Sequence, residues 1–174
     1  MAIAENRSHF INYEVYDEGN RLQGTADLSL PEINYKTSTM GGAGVAGEID
    51  MPTIGHTENI EAGITWRTLN VNVIKFLEPK THSLTFRGAN ENYDSATGNL
   101  IVEPVKIELR GLPTKGSLGK FEQASESESE NTFSILYLKI SIKNEDVYEY
   151  DKLNGINKIR GVDYLADVRS ALGY

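Results

Sequence analysis

From residue 59 to 67 the chain reads NIEAGITWR, with Ile60, Ala62, Ile64 and Trp66 alternating against Asn59, Glu61, Gly63, Thr65 and Arg67. A period of two puts the first set on one side of a pleated strand and the second on the other, so this segment predicts a half-buried strand. Noisier versions of the pattern in FINYEVYD (10–17), ADLSLPEINYK (26–36), SLTFRGANENY (83–93), LIVEPVKIELRG (100–111) and TFSILYLKISIK (132–143) predict further strands. Glu18-Gly19-Asn20, Ala96-Thr97-Gly98-Asn99 and Asn154-Gly155 supply the turn chemistry between them. In 26–36 the apolar parity changes across Pro31, from Leu28 and Leu30 to Ile33 and Tyr35, which predicts a bulge. The fold class that follows is mainly β, an antiparallel sandwich or barrel with one or two short flanking helices.

Two segments have helical spacing instead. In TLNVNVIKFLEP, Leu69, Val73, Phe76 and Leu77 form one stripe, Thr68 or Asn70 can cap the start, and Pro79 ends the run. In GVDYLADVRSALGY, Val162, Leu165, Arg169 and Leu172 share a side, Asp163 suits the positive end of the dipole, and Gly173 is a C-terminal stop. This second segment predicts a short docking helix.

Composition narrows what such a fold can do. At 174 residues, 39% apolar and 24% charged, the chain predicts a single domain over 1–174, with no run near the ~20 apolar residues of a membrane-spanning helix. No membrane anchoring and no secretory signal are expected. The absence of cysteine removes disulfides and thiolate chemistry. A net charge of -8 is the wrong sign for gripping nucleic acid through its phosphates.

The motifs that carry chemistry are weak. Gly42 to Gly47, GAGVAG, fits the glycine pattern of dinucleotide sites, but Pro52 cuts off the helix that pattern needs, and no βαβ unit surrounds it. A hairpin loop is the better reading. His9, His56 and His82 stand singly, no two carboxylates are singled out as an acid and base, and GxSxG is absent. The chain is therefore expected to be no enzyme and to hold no cofactor or metal. The stretch 116–133, with Ser125, Glu126, Ser127, Glu128, Ser129 and Glu130 in alternation, predicts a solvated loop without order of its own. A carbohydrate-binding sandwich is an alternative for an acidic β-domain with nine tyrosines, although Trp66 lies on the core parity of its strand.

Taken in order, the glycine loop TSTMGGAGVAGEIDMP, the strand NIEAGITWR, the segment TLNVNVIKFLEP and the closing NGINKIRGVDYLADVRSALG resemble the major tail tube proteins of contractile-tailed bacteriophages and R-type bacteriocins. A more distant similarity links them to the haemolysin-coregulated tube protein of type VI secretion. The resemblance implies six subunits closing into a ring and rings stacking into a hollow tube within a contractile sheath. It implies two long hairpins that join those of neighbours to line a lumen, and a conduit that punctures the target envelope and passes DNA as a transient passenger. Further partners so implied are the baseplate hub or tube initiator, the tail terminator and the tape-measure protein. The expected location is a virion tail or bacteriocin particle assembled in the host cytoplasm, and the sequence leaves phage and DNA-free particle both open.

On that reading the hairpins are 25–36 with 45–67 and 100–111 with 132–143. Combined with the parity above, Asp27, Ser29, Asn59, Glu61, Thr65, Lys106 and Glu108 are lumen candidates. Met40, Gly41, Gly42, Ala43, Gly44, Val45, Ala46 and Gly47 form a loop expected between subunits or rings, and Ser125 to Glu130 form the second hairpin tip.

Overall fold

A computed structural model describes residues 6–174 apart from 23, 24, 43, 45 and 96. In chain order the elements are β1 (Asn6–Asp17), β2 (Asn20–Arg21), β3 (Thr25–Ser29), β4 (Tyr35–Met40), β5 (Ile49–Thr57) and β6 (Glu61–Trp66). The helix α1 (Val71–Lys75) follows, then β7 (His82–Asp94), β8 (Asn99–Ser117), β9 (Ser129–Ile142), β10 (Glu145–Asp151), β11 (Ile156–Ile159), β12 (Val162–Asp163) and α2 (Ala166–Leu172). Every pairing is antiparallel, and the fold is mainly β as the alternation predicts. The sheet is open: its path is β12-β11-β10-β9-β8-β7-β1-β2, and β6 joins as a branch carrying β3.

The branch point is β9. Residues 129–134 pair with β6 and residues 137–142 pair with β10, while β8 follows the other edge throughout. Between Arg110↔Tyr137 and Gly111↔Ile135 the register shifts, leaving Leu136 as an extra residue. An added residue bends its strand, and here the bend steers β9 from one neighbour to another. It also switches the core parity from odd (Phe133, Ile135) to even (Leu138), so the core face stays continuous.

The core collects Ile60, Ala62, Ile64 and Trp66 of β6 with Val15, Leu84, Phe86, Ile107, Leu109, Phe133 and Leu138, plus Val73 and Phe76 from the α1 segment. Trp66 stacks on Phe76, which meets Phe133 edge to face at 5.6 Å. Two polar side chains enter this apolar cluster: His82, whose ring meets Phe76 at 5.0 Å, and Asn131, whose amide oxygen and nitrogen are both engaged. The Trp66 indole N–H donates to Asn131 Oδ1 at 2.9 Å, and Asn131 Nδ2 donates to the Val73 carbonyl at 3.2 Å. A buried amide left unpaired would cost about 1–3 kcal/mol, so this bridge locks α1 onto β9.

Asn70 caps α1 as the sequence suggests, accepting from the N–H groups of Asn72 (2.9 Å) and Val73 (3.3 Å). The expected four-residue stripe is narrower, because five residues make barely more than one turn. Val73 and Phe76 are buried, while Leu69 and Leu77 stay exposed. Two further expectations are corrected. Pro31 marks a break and not a bulge, since residues 30–34 leave the sheet altogether between β3 and β4. Val162 lies in β12 and not in the last helix, and no residue of α2 itself is buried.

Candidate functional site

The long hairpin from β3 to β6 has two unlike parts. Its base, β3 and β6, carries the core on one face, and its outer part, β4 and β5, is a separate two-stranded arm. The parts meet where Glu58 N–H donates to the Asn34 carbonyl at 2.8 Å. The root of the arm is held from below: Tyr150 donates its hydroxyl to the Gly55 carbonyl and lies 3.0 Å from Thr57 Oγ1. Leu165 fills the space beside Gly55, where a Cβ would lie 2.4 Å from Leu165 Cδ2. The arm itself is exposed along its length, including Tyr35, Met40, Ile49, Met51 and Ile54.

At the arm's tip are the glycines singled out in the sequence. Met40 ends β4, and Gly41, Gly42, Gly44, Ala46 and Gly47 form an exposed loop before β5; Ala43 and Val45 lie outside the described residues. Gly44 (φ +95°) and Gly47 (φ +114°) need glycine for backbone conformation, since a Cβ there would touch nothing within 4 Å. The segment therefore joins antiparallel strands and opens no helix, in keeping with a hairpin loop.

Across the base, β3, β6, the first half of β9 and the last part of β8 form a four-stranded strip. Its non-core face carries Ser29 opposite Gly63, Gly63 opposite Thr132, and Thr132 opposite Lys115. A second row runs through Asp27, Thr65, Glu130 and Ser117. Lys115 Nζ donates to Glu130 at 3.1 Å, Asn59 donates to Glu61 at 2.8 Å, and Ser134 donates to Asn59 at 2.6 Å. The structure thus brings Asp27, Ser29, Asn59, Glu61 and Thr65 onto one polar face. Lys106 and Glu108 share that side of the sheet but sit farther along β8, paired with each other at 2.7 Å and opposite Ser141 and Lys139. Sequence reasoning missed Lys115 and Thr132 as members of the strip. For Thr132 the signal was present, because Thr132 and Ser134 alternate with Phe133 and Ile135 just as Glu61 alternates with Ile60 and Ala62.

Both long edges of the strip are open. β3 pairs only with β6, and β8 continues through residues 112–117 beyond the last β7 pairing, His82↔Gly111. Among the described residues neither edge has a second strand partner.

The serine–glutamate run lies partly in a strand, since Ser129 and Glu130 open β9. Ser127 and Ser129 are buried and Glu126 and Glu128 are exposed, with Glu128 turned through a positive φ of +54°. Ser129 donates to the Leu118 carbonyl at 2.9 Å, its hydroxyl lies 3.1 Å from that of Ser127, and Ser127 N–H donates to the Arg67 carbonyl at 2.8 Å. The expectation that all six residues form a loop is corrected for Ser129 and Glu130 alone, which belong to β9, while 125–128 lie in the loop before it.

At the C-terminus Leu165 is buried and Leu172 and Val162 are exposed. Arg169 donates to the Gly155 carbonyl at 2.6 Å and to Asp163 at 2.5 Å, which ties α2 to the turn after β10. The Arg169 hydrogen bond holds the Asp163 carboxyl below its usual range. Gly173 in the left-handed region (φ +87°) closes the helix. Beneath this corner burial pushes the Tyr148 phenol well above its ordinary value, and its hydroxyl has no hydrogen-bond partner. Trp66, fully buried, offers no sugar platform. Among the described residues no group of three or more His, Asp or Glu could hold a metal.

Comparison with known proteins places this geometry. Residues 7–173 match the family described as phage tail tube protein FII. The tail tube protein of Escherichia phage P2 is 24% identical over 162 residues, covering 91% of this chain and 93% of that protein. With nearly its whole length matched, the chain belongs to the phage tail tube protein FII family.

Proposed function

We propose that this protein is the repeating subunit of the inner tube of a contractile phage tail, with six copies closing into a ring and rings stacking into the tube. The observation that carries this reading is the strip β3-β6-β9-β8 with its two open edges. Because the strip has four strands, its outer strands β3 and β8 run in opposite directions, so β8 of one copy can pair antiparallel with β3 of the next. The same junction repeats around a ring, and no edge remains to aggregate. The unequal edges favour a heterologous contact, which closes by rotation.

The polar face of the strip would then line the lumen. It carries Asp27, Glu61 and Glu130 against Lys115, an excess of carboxylates set among Ser29, Thr65, Thr132 and Ser134. A weakly acidic, hydroxyl-rich wall repels phosphate and offers no aromatic on which a base could stack, which suits a conduit for DNA. Lys106 and Glu108 neutralise each other and add little. The arm, with its exposed Met40, Ile49 and Met51, is the element that reaches a neighbouring subunit. The sheath lies outside this tube, and the tube initiator, tape-measure protein and terminator act at its ends and inside it. The matched family and relative are both described as phage proteins, which supports a virion tail over a DNA-free bacteriocin.

The test combines electron microscopy with cross-linking. Native cysteines are absent, so Asp27→Cys with Thr114→Cys reports one contact only. Rings or hollow tubes with a cross-linked ladder ending at the ring size are expected. Monomers at high concentration, or cross-links confined within a single chain, overturn the reading.

A further inference from the structure

The two ends of β6 carry unlike surfaces. At the Trp66 end lies the loop 118–128, anchored by Ser127 N–H to Arg67 and by Lys120 N–H to the Ser127 carbonyl, both at 2.8 Å. It is folded tightly back on β9: a Cβ on Gly119 would lie 1.9 Å from the Ser127 carbonyl oxygen. What the fold-back presents outward is Phe121, 95% exposed; Glu128, Glu122 (paired with Lys120 at 3.0 Å) and Glu126 (3.9 Å from Arg67) are exposed in the same loop. A large apolar side chain held in water on a carboxylate-bearing loop has no role in the subunit's own core.

At the Ile60 end lies a groove of about 670 Å³ between β5, the turn after β10 and α2. Ile54, Val168 and Leu172 give it exposed apolar walls. Lys152 and Arg169 stand on its rim, and no Asp or Glu side chain is among its described lining residues. Arg169 is engaged by Asp163, whereas Lys152 donates to the Glu58 carbonyl at 3.1 Å and has no carboxylate partner among the described residues. Burial, and to a lesser extent the nearby Lys36 charge, hold the Lys152 ammonium below its usual pKa. A volume of this size falls in the range of clefts that take a drug-sized ligand and is ample for a phenyl ring.

We infer that the loop 118–128 of one subunit inserts Phe121 into the β5/α2 groove of a subunit in the next ring, with its carboxylates facing Lys152. The inference rests on the stacked-ring reading and names the contact that does the stacking. The six residues of β6 hold loop and groove roughly 20 Å apart within one chain, so the loop does not fill its own groove. The strips close rings laterally, which leaves these two ends facing along the tube axis. Unlike surfaces at opposite ends generate an open, polar stack. A buried aromatic anchor within a ring of charged contacts is the usual form of an energetic centre at an interface.

Two variants test it. Phe121→Ala alters an exposed side chain and is expected to leave the thermal unfolding of the subunit unchanged while cutting tube mass at least ten-fold in favour of single rings. Glu122→Cys with Leu153→Cys, treated with a short bis-maleimide, is expected to give a ladder that runs past the ring size, because each link joins successive rings. If the wild type forms tubes but Phe121→Ala does too, or if the ladder stops at the ring size, the inference falls and the tube reading stands. A wild-type protein that forms neither rings nor tubes overturns both.

Discussion

The base and the arm of one hairpin, β3/β6 and β4/β5, are built from similar strand-forming residues and end in opposite situations. In β6 the residues Ala62, Ile64 and Trp66 are at most 2% exposed, whereas every residue of β4 is exposed. The difference is the presence of a second layer. The base lies against β7, β8 and α1, while the arm has only its own two strands, and a lone two-stranded hairpin is marginal in water. Local propensity decides that both segments are strands. Whether a strand contributes to the stability of the subunit depends on what covers it, and on the proposed reading the arm would contribute only once a neighbour covered it.

The comparison breaks first at Trp66. Trp66→Ala opens a large cavity and strands the Asn131 amide, and is expected to cost about 3–5 kcal/mol, read as a lower urea midpoint of the disassembled subunit. A loss below about 1 kcal/mol would mean that the base is no better packed than the arm.

Next in size is Gly119→Ala. The new methyl meets the Ser127 carbonyl and must adopt φ near +74°, so roughly 1–3 kcal/mol is expected. Proteolysis within 118–128 should rise with it.

A smaller effect sits at α2. Asp163 has its folded pKa lowered by Arg169, so its contribution is complete above the ordinary carboxylate pKa and is lost as pH falls through the lower folded value. NMR shifts of the Leu165 methyls should therefore move in that acidic window. In Asp163→Asn, expected to cost about 1 kcal/mol, they should be flat with pH.

The smallest effect on the subunit is expected in the arm. Gly44 and Gly47 replaced together by valine strain only an exposed tip where a Cβ meets nothing within 4 Å and which can relax locally, so the unfolding free energy should stay within about 0.5 kcal/mol of wild type. Tube formation is expected to fail. A normal tube yield would show that the arm tip plays no part in assembly, and a large loss of subunit stability would show the arm and base to be one cooperative unit.

How far the sequence could be read follows the same division. The base was legible because Ile60 to Trp66 alternate without a fault, and their parity fixes which side chains form the polar face. The break at Pro31 shows the limit, since a parity change fits a bulge as well as a chain that leaves the sheet. β5 escaped the alternation, entering only through the hairpin 45–67 that the resemblance implies, because Pro52 and Gly55 interrupt Ile49, Met51 and Ile54, and a strand exposed on both faces has no reason to alternate. β10 escaped for another reason. Its turn, Lys143 (φ +54°) and Asn144 (φ +64°), has no glycine to announce it, and its core-side residues are the tyrosines 148 and 150, which carry a polar group. The groove between β5 and α2 could not be read at all, because it is assembled from segments a hundred residues apart in the chain.

The even strand count of the polar strip also acts as a gauge. In the ring proposed above, each copy would add four strands at a spacing of about 4.8 Å, or roughly 19 Å of circumference, and would always present the next copy with the same strand polarity. Hydrogen bonding alone would accept any number of copies, so bore width changes only in whole-subunit steps of about 6 Å in diameter. Bore width is then selected by how sharply the strip curves from β3 to β8. The Leu136 bulge, which bends β9 just beyond the strip, is a place where a tube of different calibre would be engineered.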